Sequence, residues 1–430
     1  MQRVVLYTLA IISTGLFLYS VGSQVTLADQ IDDLKNKIHT RASDIQRLEQ
    51  EIAEYQDQIY DTQKKAKTLS NSIYELDLTR KKLQADISIT QNQIEQTNYE
   101  IQELQTAINR TARKIDSDYA LIASIMRNIN ESDNQSLVEV ILSNNELSDF
   151  WNNVESMERF RQVIGENLDN LEILHAELEE AKRREEQEKR DYIAYEKQLD
   201  DQKEVVEINK SSKNSLLRKT KNEEGEYQRI LSEKKAAKDA FEAELANFEA
   251  QLKMVIDQGK LPEPGSAALW WPLDSVYVTQ YFGNTDFARS GAYSGKGHNG
   301  VDFRAAVGTP VKSGASGVVQ GVGNTDAYPG CYSYGKWVLV KHDNGLTTMN
   351  AHLSLIKVTE GQRVSMGDLL GYSGNTGYST GPHLHFGVYA SEGVQIVRLG
   401  DTKSRTNCAD ARIPVAPFNA YLNPIDYLPQ

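Results

Sequence analysis

The sequence predicts a multidomain chain: a long antiparallel α-helical coiled coil followed by a mainly antiparallel β-sheet domain. Three observations predict it. All ten prolines lie at or after Pro262, and 22 of the 28 glycines lie beyond residue 265. Isoleucine recurs every seventh residue from Ile31 to Ile122. Beyond residue 270, short β-branched runs alternate with glycine instead. The expected division is a leader at 1–28, a coiled-coil hairpin at 29–258 with a capping segment near 132–160, a linker at 259–269 and the β domain at 270–430.

Charge divides the same way. Residues 266–430 carry 12 Lys/Arg and 11 Asp/Glu, a net of +1, so the first 265 residues carry −14 of the chain's net −13. The acidity belongs to the helical region, and no basic patch of the kind that holds nucleic acid is present. At the N-terminus, Arg3 precedes an apolar run from Val4 to Gly22 and then Asp29, Asp32 and Asp33. This reads as an export segment, either a signal peptide cleaved after Ala28 or Ser23 or a retained membrane anchor. Both readings place the rest of the chain outside the cytoplasm, in the periplasm or cell-wall space.

Twelve of the fourteen heptad positions from Ile31 to Ile122 are isoleucine, with Ala66 and Arg80 as exceptions. Leu34, Leu48, Tyr55, Leu69, Leu76, Leu83, Leu104 and Ile125 lie three residues further on. A repeat of seven argues for a left-handed coiled coil, and one uninterrupted arm would be on the order of 150 Å long. The polar run Asn130–Gln135 suits a turn, and a second helical stretch runs from about Leu147 to Ile256. Its apolar spacing is clearest at Phe241, Leu245, Phe248, Leu252 and Val255. Folding the second arm back on the first is the simplest packing; a parallel dimer, a form of self-association through the coil, is its rival. The segment 137–160, which carries Trp151, is more apolar and less periodic, so it reads as a packed cap or as a docking surface. The charge run from Ala181 to Arg190 reads as a solvated helix face.

The segment 259–264 (GKLPEP) ends the helix. The two cysteines, Cys331 and Cys408, fall in the β domain. In an exported chain they most simply form one disulfide, which would stabilise the domain by about 4 kcal/mol in the chain-entropy description.

Five of the seven histidines also lie there: His298, His342, His352, His383 and His385. In GHNGVDF, His298 and Asp302 are four apart, but the glycines and Phe303 disfavour helix, which places the pair where a loop enters a strand. In GPHLHFGVY, Phe386, Val388 and Tyr389 favour a strand, so His383 and His385 share one face while Leu384 turns to the core. A catalytic zinc needs three N or O ligands and one open position. Two histidines and a carboxylate meet that need. His342, in a strand entering an Asn-Gly turn, reads as structural.

His298-x3-Asp302, Ala351-His352-Leu-Ser354 and His383-x-His385, in this order, resemble the lysostaphin/LytM-type zinc endopeptidases. Trp271-Pro272, Tyr281–Gly283, Gly308–Val311 and Asn423-Pro424 add to the match. The resemblance implies a β-sheet metallopeptidase domain with a groove, a Zn2+ ion on His298, Asp302 and His385, and catalytic but unligated His352 and His383. It implies peptidoglycan peptides as substrate, with zinc polarising the attacking water and the free imidazoles moving protons. Two features depart from the pattern. Asn350 stands where the family often has tyrosine, and the insert 323–335 enlarges a loop that the disulfide would tie down.

The segment 137–160 resembles the coiled-coil region of division-associated murein hydrolases and hydrolase activators. That resemblance implies an ABC-transporter-like division complex as partner. A coil that senses such a complex would gate the enzyme, with part of the second arm covering the groove. The alternative is a non-catalytic activator of separate amidases; a purely structural scaffold is a third reading. The intact five positions favour the enzyme.

Overall fold

The computed structural model of the chain describes residues 27–65, 68–133, 147–252, 256–285, 297–398, 400 and 406–430. The apolar leader, with its readings as signal or anchor, lies outside the described residues, as does 134–146 of the cap. Among the described residues, no helix is long and apolar enough to cross a membrane.

Among the described residues, four helices come first: α1 (Leu27–Lys65), α2 (Leu69–Asp133), α3 (Leu147–Thr220) and α4 (Glu224–Gln251). None of the twelve heptad isoleucines is exposed, so the repeat does mark the buried seam. The single uninterrupted arm is not observed. The isoleucine repeat extends across two helices, because heptad spacing fixes which face is buried and not where the chain turns. The second helix begins where the Thr68 hydroxyl accepts a hydrogen bond from the Asn71 N–H (3.3 Å), an N-terminal cap that satisfies a free donor.

The chain divides into two compact units, residues 1–41 with 95–191, and residues 42–94 with 192–430. They cut across the boundaries at 258 and 270, which were drawn where composition changes. In the first unit, α1 and α2 lie antiparallel: Lys35 pairs with Glu103 (3.9 Å), and Arg41 with Glu95 (3.0 Å). Ile115 and Ile122 of α2 pack with Leu171 and Leu178 of α3.

In the second unit, α3 runs antiparallel to α2, as Gln198 bonds Thr90 (3.3 Å) and Lys213 bonds Asp77 (2.6 Å). The fold-back expected of the second arm is thus the observed pairing, but that arm is also two helices. Lys221 and Asn222 adopt left-handed backbone (φ 49° and 60°) between α3 and α4, which ends α3. The new start is pinned: the Glu224 carboxylate accepts from the Leu69 N–H (2.7 Å), and the Tyr227 hydroxyl meets that of Ser72 (2.5 Å).

The rest of this unit is a β domain. Its strands are β1 (Val278–Gln280), β2 (Val301–Arg304), β3 (Pro310–Lys312), β4 (Gly317–Asn324), β5 (Lys336–His342), β6 (Leu346–Ile356), β7 (Arg363–Val364), β8 (Leu369–Ser373), β9 (His383–Ala390), β10 (Gln395–Arg398), β11 (Arg412–Val415) and β12 (Tyr421–Leu422). The main sheet has the order β1-β2-β9-β6-β5-β4-β7, with β8 joining β6 to β3 and β12 joining β9; β10 and β11 form a separate ribbon. All recorded pairings are antiparallel. Leu384, Phe386 and Val388 of β9 face one core with Phe303 and Leu346. The opposite face forms a second core around Trp337, Met349, Ala351 and Tyr389. Phe241, Leu245, Phe248 and Leu252 pack into this second core. Their spacing, which reads as a coil seam, is instead the face that α4 lays on the β domain.

α3 touches the same domain elsewhere. Val205, with Leu83 of α2, packs on Val307, Leu355 and Tyr372. Beside them, buried Asp201 accepts from the Tyr372 hydroxyl (3.1 Å) and pairs with Lys357 (2.5 Å). Removing one partner of such a pair strands the other. Asp201→Ala is therefore expected to lower stability by about 2 kcal/mol in denaturant unfolding of the full chain; a change near zero would show that the contact contributes nothing.

His342 is structural, as its context predicts. Its Nδ1–H donates to the Ala315 carbonyl (3.0 Å) and its Nε2 accepts from the Thr348 hydroxyl (2.9 Å). Burial lowers its pKa to about 4. A depressed histidine is neutral when folded, so its contribution is intact above the unfolded pKa of about 6.5 and fades as pH falls toward 4. The loss over that window is about 3 kcal/mol. Unfolding of His342→Gln is expected to lose less stability than the parent between pH 7 and pH 4.5; equal losses would contradict the assignment.

Candidate metal centre and groove

Three adjacent strands assemble the site. Register places Asp302 of β2 opposite His385 of β9, and Ala351 of β6 opposite His385 on its other side. Alternation then presents His383 and His385 together, with Leu384 in the core between them, as the strand reading predicts.

His298 enters from the loop before β2, through a two-way backbone bridge to Gly283 (2.8 Å each way). The two glycines of GHNG are spatial requirements. Gly297 has φ +83° and its missing Cβ would lie 2.8 Å from the Gly283 backbone; that of Gly300 would lie 2.7 Å from the His385 ring. Gly297 needs both left-handed freedom and clearance, and Gly300 needs the clearance.

His352 reaches the site by a break in alternation. Its backbone is left-handed (φ 61°), and the β6 register shifts on both sides of it. Ala351 therefore faces the second core while Leu353, two residues on, faces the first. The shift turns the His352 ring into the groove, and the Tyr334 carbonyl accepts from the His352 backbone N–H (3.0 Å). Strained backbone of this kind persists only where its surroundings over-determine it.

All five predicted residues converge. His298 Nε2 lies 3.1 Å from His385 Nδ1 and 3.2 Å from Asp302 Oδ1, and His385 Nδ1 lies 2.9 Å from that oxygen. These three buried side chains form a group able to hold a metal ion. Tetrahedral zinc with bonds of about 2.05 Å sets its donors about 3.3 Å apart, so the triangle has the size and donor set such an ion requires. His383 Nε2 stands 3.8 Å from Asp302 Oδ1, and the His352 ring lies 4.7 Å from that of His383.

Both outer histidines carry the same tautomer. Nδ1 of His352 donates to the Thr376 carbonyl (2.8 Å), and Nδ1 of His383 donates to that of Gly381 (2.8 Å). Each ring keeps Nε2 as its lone-pair nitrogen. Burial, then the charges of His383 and His385, push the His352 pKa well below its usual value. Burial likewise lowers that of His385. At Asp302 burial opposes ionisation, but the charges of His383 and His298 and hydrogen bonds from His298 and His385 prevail and hold the carboxyl well below the usual range. The electrostatics thus favour neutral His352 and His385 beside an ionised Asp302.

These side chains line a cavity of about 530 Å³ whose other wall is α4. Sequence reasoning missed two of its parts, and named the third only as a stretch of the second arm over the groove, without its residues. Tyr334, at the end of the 323–335 insert, lies 6.1 Å from the His385 ring and its hydroxyl accepts from Asn299 Nδ2 (3.0 Å). Burial, with Glu249 adding to it, raises its pKa, so the phenol stays protonated. Phe418 and Tyr421 come from the C-terminal segment, and Phe241, Leu245 and Glu249 from α4. The Cys331–Cys408 disulfide forms as expected and ties the insert down. Asn350 is buried away from this cavity with no partner for its amide among the described residues, so it has no part in the site.

Residues 296–397 match the model of Peptidase family M23. Among curated relatives, the chain is 47% identical over 89 residues to peptidoglycan DD-endopeptidase ShyA of Vibrio cholerae, which is 21% of this chain and 19% of that one. It is 43% identical over 89 residues to DD-carboxypeptidase/endopeptidase Mpg of Neisseria meningitidis, with the same coverage. To lysostaphin of Staphylococcus staphylolyticus it is 43% identical over 89 residues, 21% of this chain and 18% of that one. The chain thus spans about a fifth of the length of the relatives it matches. The segment of the β domain that carries the His-Asp-His triangle is thus the segment that matches Peptidase family M23.

Proposed function

We propose that the chain is an exported, zinc-dependent endopeptidase that hydrolyses peptide cross-links of bacterial peptidoglycan, regulated through its helical region during cell division or wall remodelling. The observation that carries this reading is the convergence of His298, Asp302, His385, His352 and His383 on one cavity. A binding module or amidase activator has no chemical use for a buried carboxylate among four imidazoles. Among the named relatives, ShyA is a peptidoglycan DD-endopeptidase, which supports the substrate class. An ABC-transporter-like division complex remains the partner that the segment near 137–160 would engage.

His298 Nε2, Asp302 Oδ1 and His385 Nδ1 would hold the zinc. Bound there, zinc would polarise a water and the scissile carbonyl. His352 and His383, with Nδ1 bonded to carbonyls and Nε2 free, can accept the water's proton and return it to the leaving amine. Their Nδ1–H bonds to fixed carbonyls set ring orientation before substrate arrives. The Tyr334 phenol, protonated at working pH, adds a donor at the groove wall. α4 and the disulfide-tied insert limit water access.

The test is prolonged digestion of purified peptidoglycan by the zinc-loaded full chain, with products identified by mass. His385→Ala is expected to lose both bound zinc and cleavage. His383→Ala is expected to keep the zinc and lose cleavage by at least about 100-fold. An active His383→Ala, or an inactive parent that retains zinc and binds amidases, would contradict the reading.

A further inference from the structure

The wall of the cavity opposite the metal triangle is one face of α4. Phe241 and Leu245, a turn apart, pack into the second core beside the groove, and Lys238 lies over the Tyr378 ring at 5.1 Å. The last residue of that face is Glu249, a carboxylate only 5% exposed. Its Oε1 accepts from the Ala416 N–H (3.2 Å) and from the Tyr421 hydroxyl (2.5 Å). Tyr421 packs against Tyr389 with tilted rings 4.9 Å apart, and both belong to the β domain. Tyr421 and Glu249 line the same cavity as His298, Asp302 and His385.

A buried carboxylate is costly unless built donors receive it. These donors belong to the β domain, whereas the carboxylate arrives on a helix laid across the groove. We propose that the Ala416 N–H and Tyr421 O–H form a carboxylate-binding subsite of the groove, and that Glu249 occupies it as an internal stand-in for a substrate carboxylate. The inference rests on the endopeptidase reading for its ligand class: stem peptides with free carboxylates. In the closed state α4 and the substrate compete for the same donors. Displacing the helix empties the subsite, and the substrate's own carboxylate then registers the peptide against the metal triangle. The apolar contacts of Phe241 and Leu245 hold the helix, and Glu249 makes its hold specific.

The test is binding of a soluble muropeptide with free carboxyl groups, against the same muropeptide amidated at them. It is measured by calorimetry on the zinc-loaded full chain carrying His383→Ala, so that cleavage plays no part. In that background Glu249→Ala is expected to bind the free acid at least ten-fold tighter than the amide. The chain with Glu249 intact is expected to bind both at least ten-fold more weakly than Glu249→Ala binds the acid. Adding Tyr421→Phe to Glu249→Ala is expected to abolish the preference for the acid. Glu249→Gln, which preserves shape and keeps an acceptor, serves as the folded control with an intermediate gain. Acid and amide bound equally by both Glu249 variants would overturn the subsite, as would tight binding of the acid with Glu249 intact. The expected preference combined with no cleavage by any variant with His383 intact would leave the subsite standing and remove the endopeptidase reading instead.

Discussion

The antiparallel register of β2 against β9 is the constraint on which the rest of the site depends. It sets Asp302 opposite His385, so a carboxylate oxygen and an imidazole nitrogen meet at 2.9 Å across two strands. A slip of one residue would send both into the core face and bring Leu384 and Phe303 out. The register is held from below by Phe303, Leu384 and Phe386, all fully buried. Metal binding geometry is thus a consequence of how the hydrophobic core packs. The remaining groups are added from the edges: His298 by a glycine-lined loop, His352 by a bulge, His383 by the strand start.

Much of this was legible because the signals were local. Two residues apart in a strand means one face, so the shared face of His383 and His385 and the inward turn of Leu384 followed from the run GPHLHFG. Their separate roles came only from the family resemblance. The crowding of glycine around His298 and Asp302 identified a loop entering a strand, and the close approaches at Gly297 and Gly300 now give the reason. The left-handed backbone at His352 was not legible. Nothing in the residue type favours it there, and it arises from the Tyr334 carbonyl and the shifting registers of β5 and β8.

The helical region shows the limit of periodicity. Heptad isoleucines reported the buried seam correctly, and the fold-back of the second arm was the simplest packing of it. Neither the end of α1 at Lys65 nor the turn at Lys221 and Asn222 interrupts the hydrophobic pattern enough to be read as an end. The spacing of Phe241, Leu245, Phe248 and Leu252 is the same for a helix packed on helices and for one packed on a sheet. Only the tertiary fold decides that α4 serves the β domain, and with it that a helix carboxylate lies in the groove.

The central claim is a division of labour: His298, Asp302 and His385 bind metal, while His352 and His383 move protons. X-ray absorption spectroscopy of the zinc-loaded full chain tests it most directly. The account predicts two imidazole nitrogens and one carboxylate oxygen at about 2.0–2.1 Å, completed by a water oxygen. A third imidazole among the ligands would contradict it, because His352 or His383 would then be holding the metal and could not carry the proton.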